Sequence, residues 1–327
     1  MKGFMAAIVI GFFSLFCFDA SAQRYFGYYG NDGDLIQNYD HINLHHIMWP
    51  PSDPVQATDF ILRELDQSRM LGVKAMVTVD TLLFNFPNRK CPASPRRDIE
   101  ATRTIWANFV KRLSTAGHLG PNGTVVAFYL IDEPELCGLQ DRFVQIENGA
   151  EGFFSIPDNQ AIRDATGVIR ANPLSASIPI TAISHEVMTD GGRYFDWLGI
   201  DYYGKNDSTA IGYNDFSGML TYCHDMDPPL GVDQHLWSTN CKNWTRLPKI
   251  ILVPQAATGG CGLDGSPHNP QAWFDEFKRQ WLGEEVLLMP FLWKSQNGGQ
   301  CPGTKDLPAL RSQYKQIGLQ IKSGQIP

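Results

Sequence analysis

The chain has 327 residues, of which 43% are hydrophobic and 19% are charged. This composition is that of an ordinary globular protein and excludes disordered, collagen-like and coiled-coil chains. Lys and Arg number 27 against 34 Asp and Glu, for a net charge of −7. Because there is no basic excess to neutralise phosphates, we expect no nucleic-acid partner and no attraction to an anionic membrane surface.

The first predicted element is a signal peptide over residues 1–22. Lys2 precedes an apolar run over 5–18, and Ala20-Ser21-Ala22 follows as a small-residue cleavage site. The run is only about 14 residues long and is too short to span a bilayer. We therefore expect a secreted or periplasmic protein that starts at Gln23 and keeps no membrane anchor after cleavage.

Eight short apolar runs follow the predicted signal peptide. They lie at 25–29, 42–48, 73–79, 124–131, 178–183, 197–203, 249–253 and 286–293. Most of them lack period-two alternation, which is typical of parallel strands that are covered on both faces. Amphipathic stretches predict helices at 57–71, 99–113, 159–170, 271–281 and 307–321. Helix-end signals place Asp98 and Asp158 at N-caps and Gly72 and Gly117 at helix stops.

Strand and helix repeat about eight times, which predicts the α/β class and a (β/α)₈ TIM barrel. We expect one domain over residues 23–327, and the segment 30–40 has room for only a short helix. A doubly wound open sheet is the alternative fold. No G-x-G-x-x-G follows the first strand, so the sequence favours the barrel.

In a (β/α)₈ barrel the chemistry lies at the carboxyl ends of the strands. Carboxylates and aromatic side chains dominate the predicted strand ends, which are Tyr28, Tyr29, His45, His46, Asp80, Asp132, Glu133, Glu186, Asp201, Tyr202, Tyr203, Gln255, Trp293 and Lys294. Neighbouring residues of a strand point to opposite faces, so only one of His45 and His46 can enter the cleft. No group has the spacing of metal ligands, and we expect neither a metal nor a cofactor.

The sharpest feature is the pair Asp132-Glu133, which ends the fourth apolar run. Two adjacent carboxylates repel each other, and an apolar barrel disfavours their charged forms. Both effects raise at least one pKa, as a general acid near neutral pH requires. The alternative is a structural role, in which one acid caps the next turn or pairs with Arg142.

The run Tyr129-Leu-Ile-Asp-Glu-Pro-Glu135 resembles the fourth-strand motif of (β/α)₈-barrel glycoside hydrolases, which usually reads Asn-Glu-Pro. The resemblance implies hydrolysis of O-glycosidic bonds in an oligo- or polysaccharide, with Glu133 as general acid. It also implies that Trp293 lies beneath the sugar ring. The other residues that we expect to contact the carbohydrate substrate are Tyr28, Asp80, Asp201, Tyr202, Tyr203 and Gln255.

The chain departs from that family at the end of the seventh strand, where Gln255 replaces the usual nucleophilic Glu. Three alternatives follow. In the first, the Asp-Glu pair resembles substrate-assisted β-N-acetylhexosaminidases, in which Asp132 orients the acetamido group of the substrate. In the second, the partner acid is Asp80, Glu186 or Asp201, and in the third the protein is a carbohydrate-binding pseudoenzyme. A barrel hydrolase of non-sugar esters, with a nucleophilic Ser or Cys, is a weaker alternative.

Cleavage after residue 22 leaves six cysteines, an even number that predicts disulfides in an exported chain. Pairing between neighbouring loops gives Cys91–Cys137, Cys223–Cys241 and Cys261–Cys301. All three would fasten loops on the active face of the barrel. We expect the protein to be a monomer.

Overall fold

The structure is a computed structural model. It describes residues 23–85, 97–134, 142–146, 150–154, 160–184, 194–200, 248–258, 267–279, 285–296 and 299–326. The predicted signal peptide lies outside these ranges, and so does the predicted N-cap Asp158. Within them, every helix is too short or too polar to cross a bilayer.

Strands and helices alternate along the described chain. The strands are β1 (Tyr25–Phe26), β2 (Leu44–Ile47), β3 (Lys74–Thr78), β4 (Val125–Asp132), β5 (Arg142–Ile146), β6 (Ala150–Phe154), β7 (Ile180–Ser184), β8 (Trp197–Ile200), β9 (Lys249–Leu252) and β10 (Glu285–Leu288). The helices are α1 (Pro54–Met70), α2 (Asp80–Leu83), α3 (Ile99–Thr115), α4 (Gln160–Ala171), α5 (Pro270–Arg279) and α6 (Pro308–Lys322). Short 3₁₀ turns lie at Leu35–Gln37 and Thr304–Asp306.

Eight of the strands form one parallel sheet in the order β1-β10-β9-β8-β7-β4-β3-β2. Apart from the antiparallel hairpin β5–β6, this order follows the chain around a ring. A doubly wound sheet would instead reverse its strand order at one point. The predicted (β/α)₈ barrel is therefore confirmed, and the open sheet is excluded.

The ring closes between β1 and β2, where the side chain of Asn43 adds two hydrogen bonds to one between backbone groups. The Asn43 backbone N–H donates to the Phe26 carbonyl at 3.1 Å. Its side-chain oxygen accepts from the Phe26 N–H at 2.7 Å, and its side-chain nitrogen donates to the Arg24 carbonyl at 2.9 Å. A Cβ atom at Gly27 would lie 2.3 Å from the Leu44 carbonyl oxygen, so the two strands approach as closely as a glycine allows.

Apolar side chains fill both faces of the sheet, as the missing alternation predicts. The interior cluster fills the barrel and contains Tyr25, Tyr29, Leu44, Met48, Met76, Ala127, Tyr129, Ile183, Trp197, Ile251, Val253, Ala257, Val286, Leu287, Met289, Leu292 and Cys301. The outer cluster lies between the barrel and the helices, and includes Phe26, Tyr28, Trp106, Phe128, Trp293 and Tyr314. Along the first barrel strand the side chains thus alternate, with Tyr25 and Tyr29 inside and Phe26 and Tyr28 outside.

The helix ends follow the signals in the sequence. Asp98 caps α3 by accepting from the Ala101 N–H at 2.9 Å, as predicted. Gly72 and Gly117 follow α1 and α3 with φ of +67° and +75°, a left-handed conformation in which glycine avoids the steric cost of a Cβ atom. Helix α1 starts three residues before the predicted position because Asp53 accepts from the Val55 and Gln56 N–H groups and caps it.

One helix and one hairpin of two strands were absent from the predicted set. Helix α2 follows β3 directly and has only four residues, too few for a periodic pattern. The hairpin β5–β6 lies between β4 and α4. Its sequence signal is Asn148-Gly149 between two apolar runs, a dipeptide that favours tight hairpin turns.

Candidate active site

A β-bulge at the end of β4 decides which acid faces the barrel interior. Tyr129 pairs with Thr181 of β7 and Ile131 pairs with Ala182, so the pairing with β7 skips Leu130. An extra residue shifts the alternation of side chains by one position. Tyr129 and Asp132 are three residues apart and nevertheless share the interior face, as their direct hydrogen bond shows.

Two tyrosine hydroxyls hold the Asp132 carboxyl group. The Tyr129 hydroxyl donates to Asp132 Oδ1 at 2.5 Å, and the Tyr29 hydroxyl donates to the same oxygen. The two hydroxyl oxygens are 3.4 Å apart. The other carboxyl oxygen, Oδ2, accepts no hydrogen bond from any described residue, and it therefore keeps its full capacity to accept one from a ligand.

Burial sets the protonation behaviour of this group. It raises the pKa of Asp132, and the hydrogen bonds from Tyr129 and Tyr29 oppose that rise. Burial and the nearby Asp132 charge raise the pKa of Tyr29 well above its ordinary value. Because Tyr29 keeps its proton through the physiological range, it remains a donor to Asp132.

His46 packs behind the two tyrosines. Its ring meets Tyr29 and Tyr129 edge-on, with centroid distances of 5.1 and 4.8 Å. Burial, and to a lesser extent His45, lowers the pKa of His46 to about 3, so the ring is neutral. The Gly30 N–H donates to His46 Nδ1 at 3.4 Å, which leaves the ring proton on Nε2. His45 points the other way and contacts Ser68 of α1 at 2.8 Å, so only one histidine enters the barrel, as predicted.

Glu133 follows β4 directly and has a strained backbone. Its N–H donates to the Ile183 carbonyl at 3.0 Å, while its φ is +42°, in the left-handed region. For a residue with a Cβ atom this conformation costs about 1–3 kcal/mol, and such strain is concentrated at active sites. Both Asp132 and Glu133 are partly buried.

Gln255 also lies on the interior side. It follows β9 and forms a further parallel bridge with Phe291, beyond the end of β10. Ile251, Val253 and Ala257 all belong to the interior cluster, and Gln255 shares their alternation. Its side chain is fully buried, and its Nε2 donates to the Ala257 carbonyl at 3.1 Å.

Tyr28 and Trp293, predicted as sugar-binding residues, lie on the helix side of the barrel instead. The Tyr28 hydroxyl is 3.0 Å from His41 Nε2, and the ring is 4.5 Å from that of Trp293. Trp293 donates from Nε1 to Asp34 at 3.3 Å, and both rings have 0% exposure. The structure does not bring either of them together with Asp132. The reason is the alternation of the strand, which turns Tyr29 inward and Tyr28 outward.

Asp80 stands at the first position of α2 and not at a strand end. Its Oδ1 accepts from the Thr81 N–H at 2.6 Å. Asp201, Tyr202, Tyr203 and Glu186 lie outside the described residues. Cys301 is buried and disulfide-bonded. Every other cysteine lies outside the described ranges, so the three predicted pairings stay predictions.

Of the two tyrosines that bind the Asp132 carboxyl group, the sequence places Tyr29 at a strand end but does not single out Tyr129. The alternation from Tyr25 is the signal that separates the inward Tyr29 from the outward Tyr28. Two further aromatic residues, Trp49 and Phe291, are partly exposed and pack against the interior cluster. The Phe291 ring meets Tyr29 at 5.0 Å, and a Cβ atom at Gly30 would come within 2.8 Å of the Trp49 ring. Both residues follow a barrel strand, and this position in the sequence is the signal that could have identified them as site residues.

The tyrosine hydroxyls give a test of the site that does not depend on catalysis. Between the unfolded pKa of Asp132, 3.8, and its higher folded pKa, the native state binds the extra proton, so stability falls as pH rises through that window. Removing one hydroxyl raises the folded pKa further. We expect Tyr129→Phe to lose about 1–2 kcal/mol more stability at about pH 7 than at about pH 4. Urea denaturation at the two pH values measures this difference.

Tyr25→Phe is the matched control. Its hydroxyl lies 3.5 Å from Gln23 and donates no hydrogen bond to Asp132, although its ring also belongs to the interior cluster. Its stability should depend on pH as that of the wild type does. Equal pH dependence of Tyr129→Phe and Tyr25→Phe would show that Asp132 is not coupled to Tyr129.

The fold and the site together define a (β/α)₈ barrel with an acidic, tyrosine-bound group at the carboxyl end of its fourth strand. In the described ranges, no three His, Cys, Asp or Glu side chains are grouped closely enough to hold a metal ion. No protein-family model matches the chain, and no curated protein matches it either.

Several solved structures are similar to the chain. A GH5_18 protein from Bifidobacterium longum subsp. infantis has 12% identity and a TM-score of 0.48, covering 92% of this chain and 79% of its own. The endo-β-1,4-mannanase from Thermotoga petrophila has 9% identity and a TM-score of 0.46, with coverages of 93% and 78%.

A β-glucuronidase from an uncultured Clostridium sp. has 13% identity and a TM-score of 0.42, covering 90% of this chain. The chain spans about half, 50%, of that protein's length. These are similarities of fold, and the strand order of the chain itself establishes the barrel.

Proposed function

We propose that this protein is an exported glycoside hydrolase that cleaves O-glycosidic bonds, with Glu133 as general acid and Asp132 as the assisting acid. The observation that carries the proposal is the adjacent acid pair at the end of β4. One of the two acids faces the barrel interior, and two tyrosine hydroxyls hold it there. The strained backbone of the other, Glu133, supports the same assignment because such strain is concentrated at active sites.

In the proposed reaction Glu133 gives its carboxyl proton to the oxygen that links the two sugars. The bond from the anomeric carbon to that oxygen then breaks, and the leaving sugar departs as an alcohol. In one route the electron pair that replaces this bond comes from water, which gives its proton to a carboxylate of the site. In the other route it comes from the acetamido oxygen of the substrate, and water then opens the cyclic intermediate and returns a proton to Glu133. Gln255 supplies no carboxylate, since its side chain is an amide that is bound to Ala257.

Asp132 suits an assisting role because only one of its oxygens is occupied. Oδ1 receives both tyrosine hydroxyls, and Oδ2 stays available to accept from a substrate N–H or O–H. An acetamido N–H held in this way would turn the acetamido oxygen toward the anomeric carbon, which is the substrate-assisted route. The partial exposure of Phe291 and Trp49 supports sugar binding, since aromatic faces pack against the apolar faces of sugar rings.

Export and a monomeric state are part of the proposal. The amino-terminal segment has the order of a cleavable signal peptide. The disulfide at Cys301 is consistent with this, because structural disulfides persist in oxidising compartments.

A carbohydrate-binding protein without hydrolytic activity is the second candidate. The observation that favours it is Gln255, which stands inside the barrel near the end of the seventh barrel strand and cannot form a glycosyl ester. Under this proposal the pocket still binds sugars, and the acids at β4 serve only to position them.

A panel of aryl glycosides separates the two candidates. It should include hexosides, xylosides and N-acetylhexosaminides, incubated with the purified mature protein. We expect release of the aryl alcohol from at least one member, and proton NMR of the first product gives its anomeric configuration. Retention of oligosaccharides on the protein with no cleavage of any member would favour the binding protein and contradict the hydrolase.

A further inference from the structure

Gln255 is fixed in place on both sides of its backbone. Its N–H donates to His268 Nδ1 at 3.0 Å, and its carbonyl accepts from the His268 N–H at 2.9 Å. The His268 ring in turn stacks on Trp273, with centroids 5.6 Å apart and planes 9° apart. Because His268 and Trp273 are themselves buried, Gln255 has little freedom to move.

The side-chain amide of Gln255 has one possible orientation. Nε2 lies 3.1 Å from the Ala257 carbonyl, to which it donates. The flipped amide would bring two acceptor oxygens together, which is unfavourable. Oε1 must therefore be the atom that points away from Ala257, and it can only accept a hydrogen bond.

This oxygen is buried and unpartnered. Gln255 has 0% exposure, and Oε1 has no hydrogen-bond partner among the described residues. A buried acceptor without a donor is costly in a folded protein, and each such group in a native structure calls for an explanation. A donor that arrives with a ligand provides one.

The surroundings connect this acceptor to the candidate active site. Gln255 is the bridge partner of Phe291, whose ring meets Tyr29 at 5.0 Å. The Tyr29 hydroxyl donates to Asp132. Three neighbouring barrel strands, β9, β10 and β1, thus lead to Gln255, Phe291 and Tyr29 in turn along the interior side.

We propose that Gln255 is a specificity-determining residue, whose Oε1 accepts a hydrogen bond from a hydroxyl or amide N–H of the bound sugar beside Phe291. The proposal rests on the proposed sugar-binding function and names the chemistry that this part of the barrel interior selects. A sugar that offers an acceptor or a carboxylate at this position meets another acceptor and is rejected. The barrel interior thus selects hydrogen-bond donors of the sugar at two acceptor atoms, Gln255 Oε1 and Asp132 Oδ2.

The test is a thermodynamic cycle that compares the loss of affinity caused by one substitution in the protein with the loss caused by removing single hydroxyls from the sugar. Methyl glycosides of common hexoses and N-acetylhexosamines, each with its singly deoxygenated counterparts, are titrated calorimetrically against the wild type and Gln255→Met. Met keeps the length of the side chain and removes the acceptor. We expect the best-bound parent sugar to bind about tenfold more weakly to Gln255→Met. One deoxygenated sugar should bind the wild type about tenfold more weakly than its parent and lose nothing further in the variant.

Gln316→Met, at an exposed position of α6, is the matched control and should bind like the wild type. Equal affinity of Gln255→Met and the wild type overturns the proposal. So does a series in which no deoxygenated sugar binds the wild type more weakly, a result that needs no variant to fold. Sugar binding without hydrolysis contradicts only the proposed enzyme, whereas a wild type that binds no sugar contradicts both proposals.

Discussion

Replacing Glu133 by Gln is expected to slow hydrolysis about 10²- to 10⁴-fold on substrates whose leaving group needs a proton. The substitution keeps the size of the side chain and removes the proton that the leaving oxygen takes up. Alkyl glycosides and disaccharides, whose leaving groups are poor, should therefore show the full loss. Glycosides of strongly acidic phenols leave without protonation and should keep most of their rate, as measured by kcat/KM on each series.

Asp132→Asn provides the contrast. An assisting acid acts on the reacting sugar and not on the leaving group, so its loss should slow both series alike. The amide keeps an acceptor for the Tyr29 and Tyr129 hydroxyls, which limits damage to the fold. An equal loss on both series for Glu133→Gln would assign Glu133 another role. Unchanged rates for Glu133→Gln would remove it from the mechanism.

Gly27→Ala is expected to destabilise the protein by about 3 kcal/mol or more. Its Cβ atom would lie 2.3 Å from the carbonyl oxygen of Leu44, and the next nearest atoms are the carbonyl carbon and Cβ of the same residue, so no flexible side-chain end is there to move away. Strand β1 would have to separate from β2 at the point where the ring closes. Guanidinium denaturation monitored by circular dichroism measures the loss.

Alanine substitutions at two other glycines provide the comparison for this loss of stability. At Gly199 of β8 the nearest atom to a new Cβ is the Ile183 side chain at 2.9 Å, which can rotate, so Gly199→Ala should cost less. At Gly167 of α4 nothing lies within 4 Å, and alanine should stabilise the helix by about 0.5–1 kcal/mol. Gly27→Ala that is soluble and as stable as Gly167→Ala would contradict closure of the barrel at β1 and β2. If Gly27→Ala yields no soluble protein, the stability of Gly199→Ala relative to that of Gly167→Ala still tests the strand packing.

The barrel was predictable because its signals are redundant. Eight apolar runs without alternation and five amphipathic stretches each pointed to the same architecture, and local errors did not change the result. The start of α1 shows the scale of such errors, because the cap at Asp53 moved the helix by three residues. Short elements such as α2 carry too few residues for any periodicity to be seen.

The candidate site was predictable only in part, because the direction of a side chain depends on single-residue shifts. Asp132 faces inward because β4 bulges at Leu130, and nothing in the sequence marks that bulge. Counting from Tyr129 without it would have turned Asp132 toward the helices and Ile131 inward. Tyr28 and Trp293 lie on the helix side for a related reason, since a strand end shows which residues are near the carboxyl face of the barrel but not which way they point.

The join between β1 and β2 makes one part of the ring dependent on a side chain. The other seven neighbouring pairs have a ladder of backbone pairing. One of them, β7 with β8, has in addition a side-chain contact, in which Asp196 Oδ2 accepts from the Ile180 N–H at 2.7 Å. At the join, Asn43 makes three hydrogen bonds to the β1 segment, and two of them come from its side-chain amide. A single amino-acid exchange at Asn43 can thus loosen this join, whereas the β7–β8 pair keeps its backbone ladder when Asp196 is replaced. How firmly the first strand joins the second therefore depends on which amino acid occupies position 43.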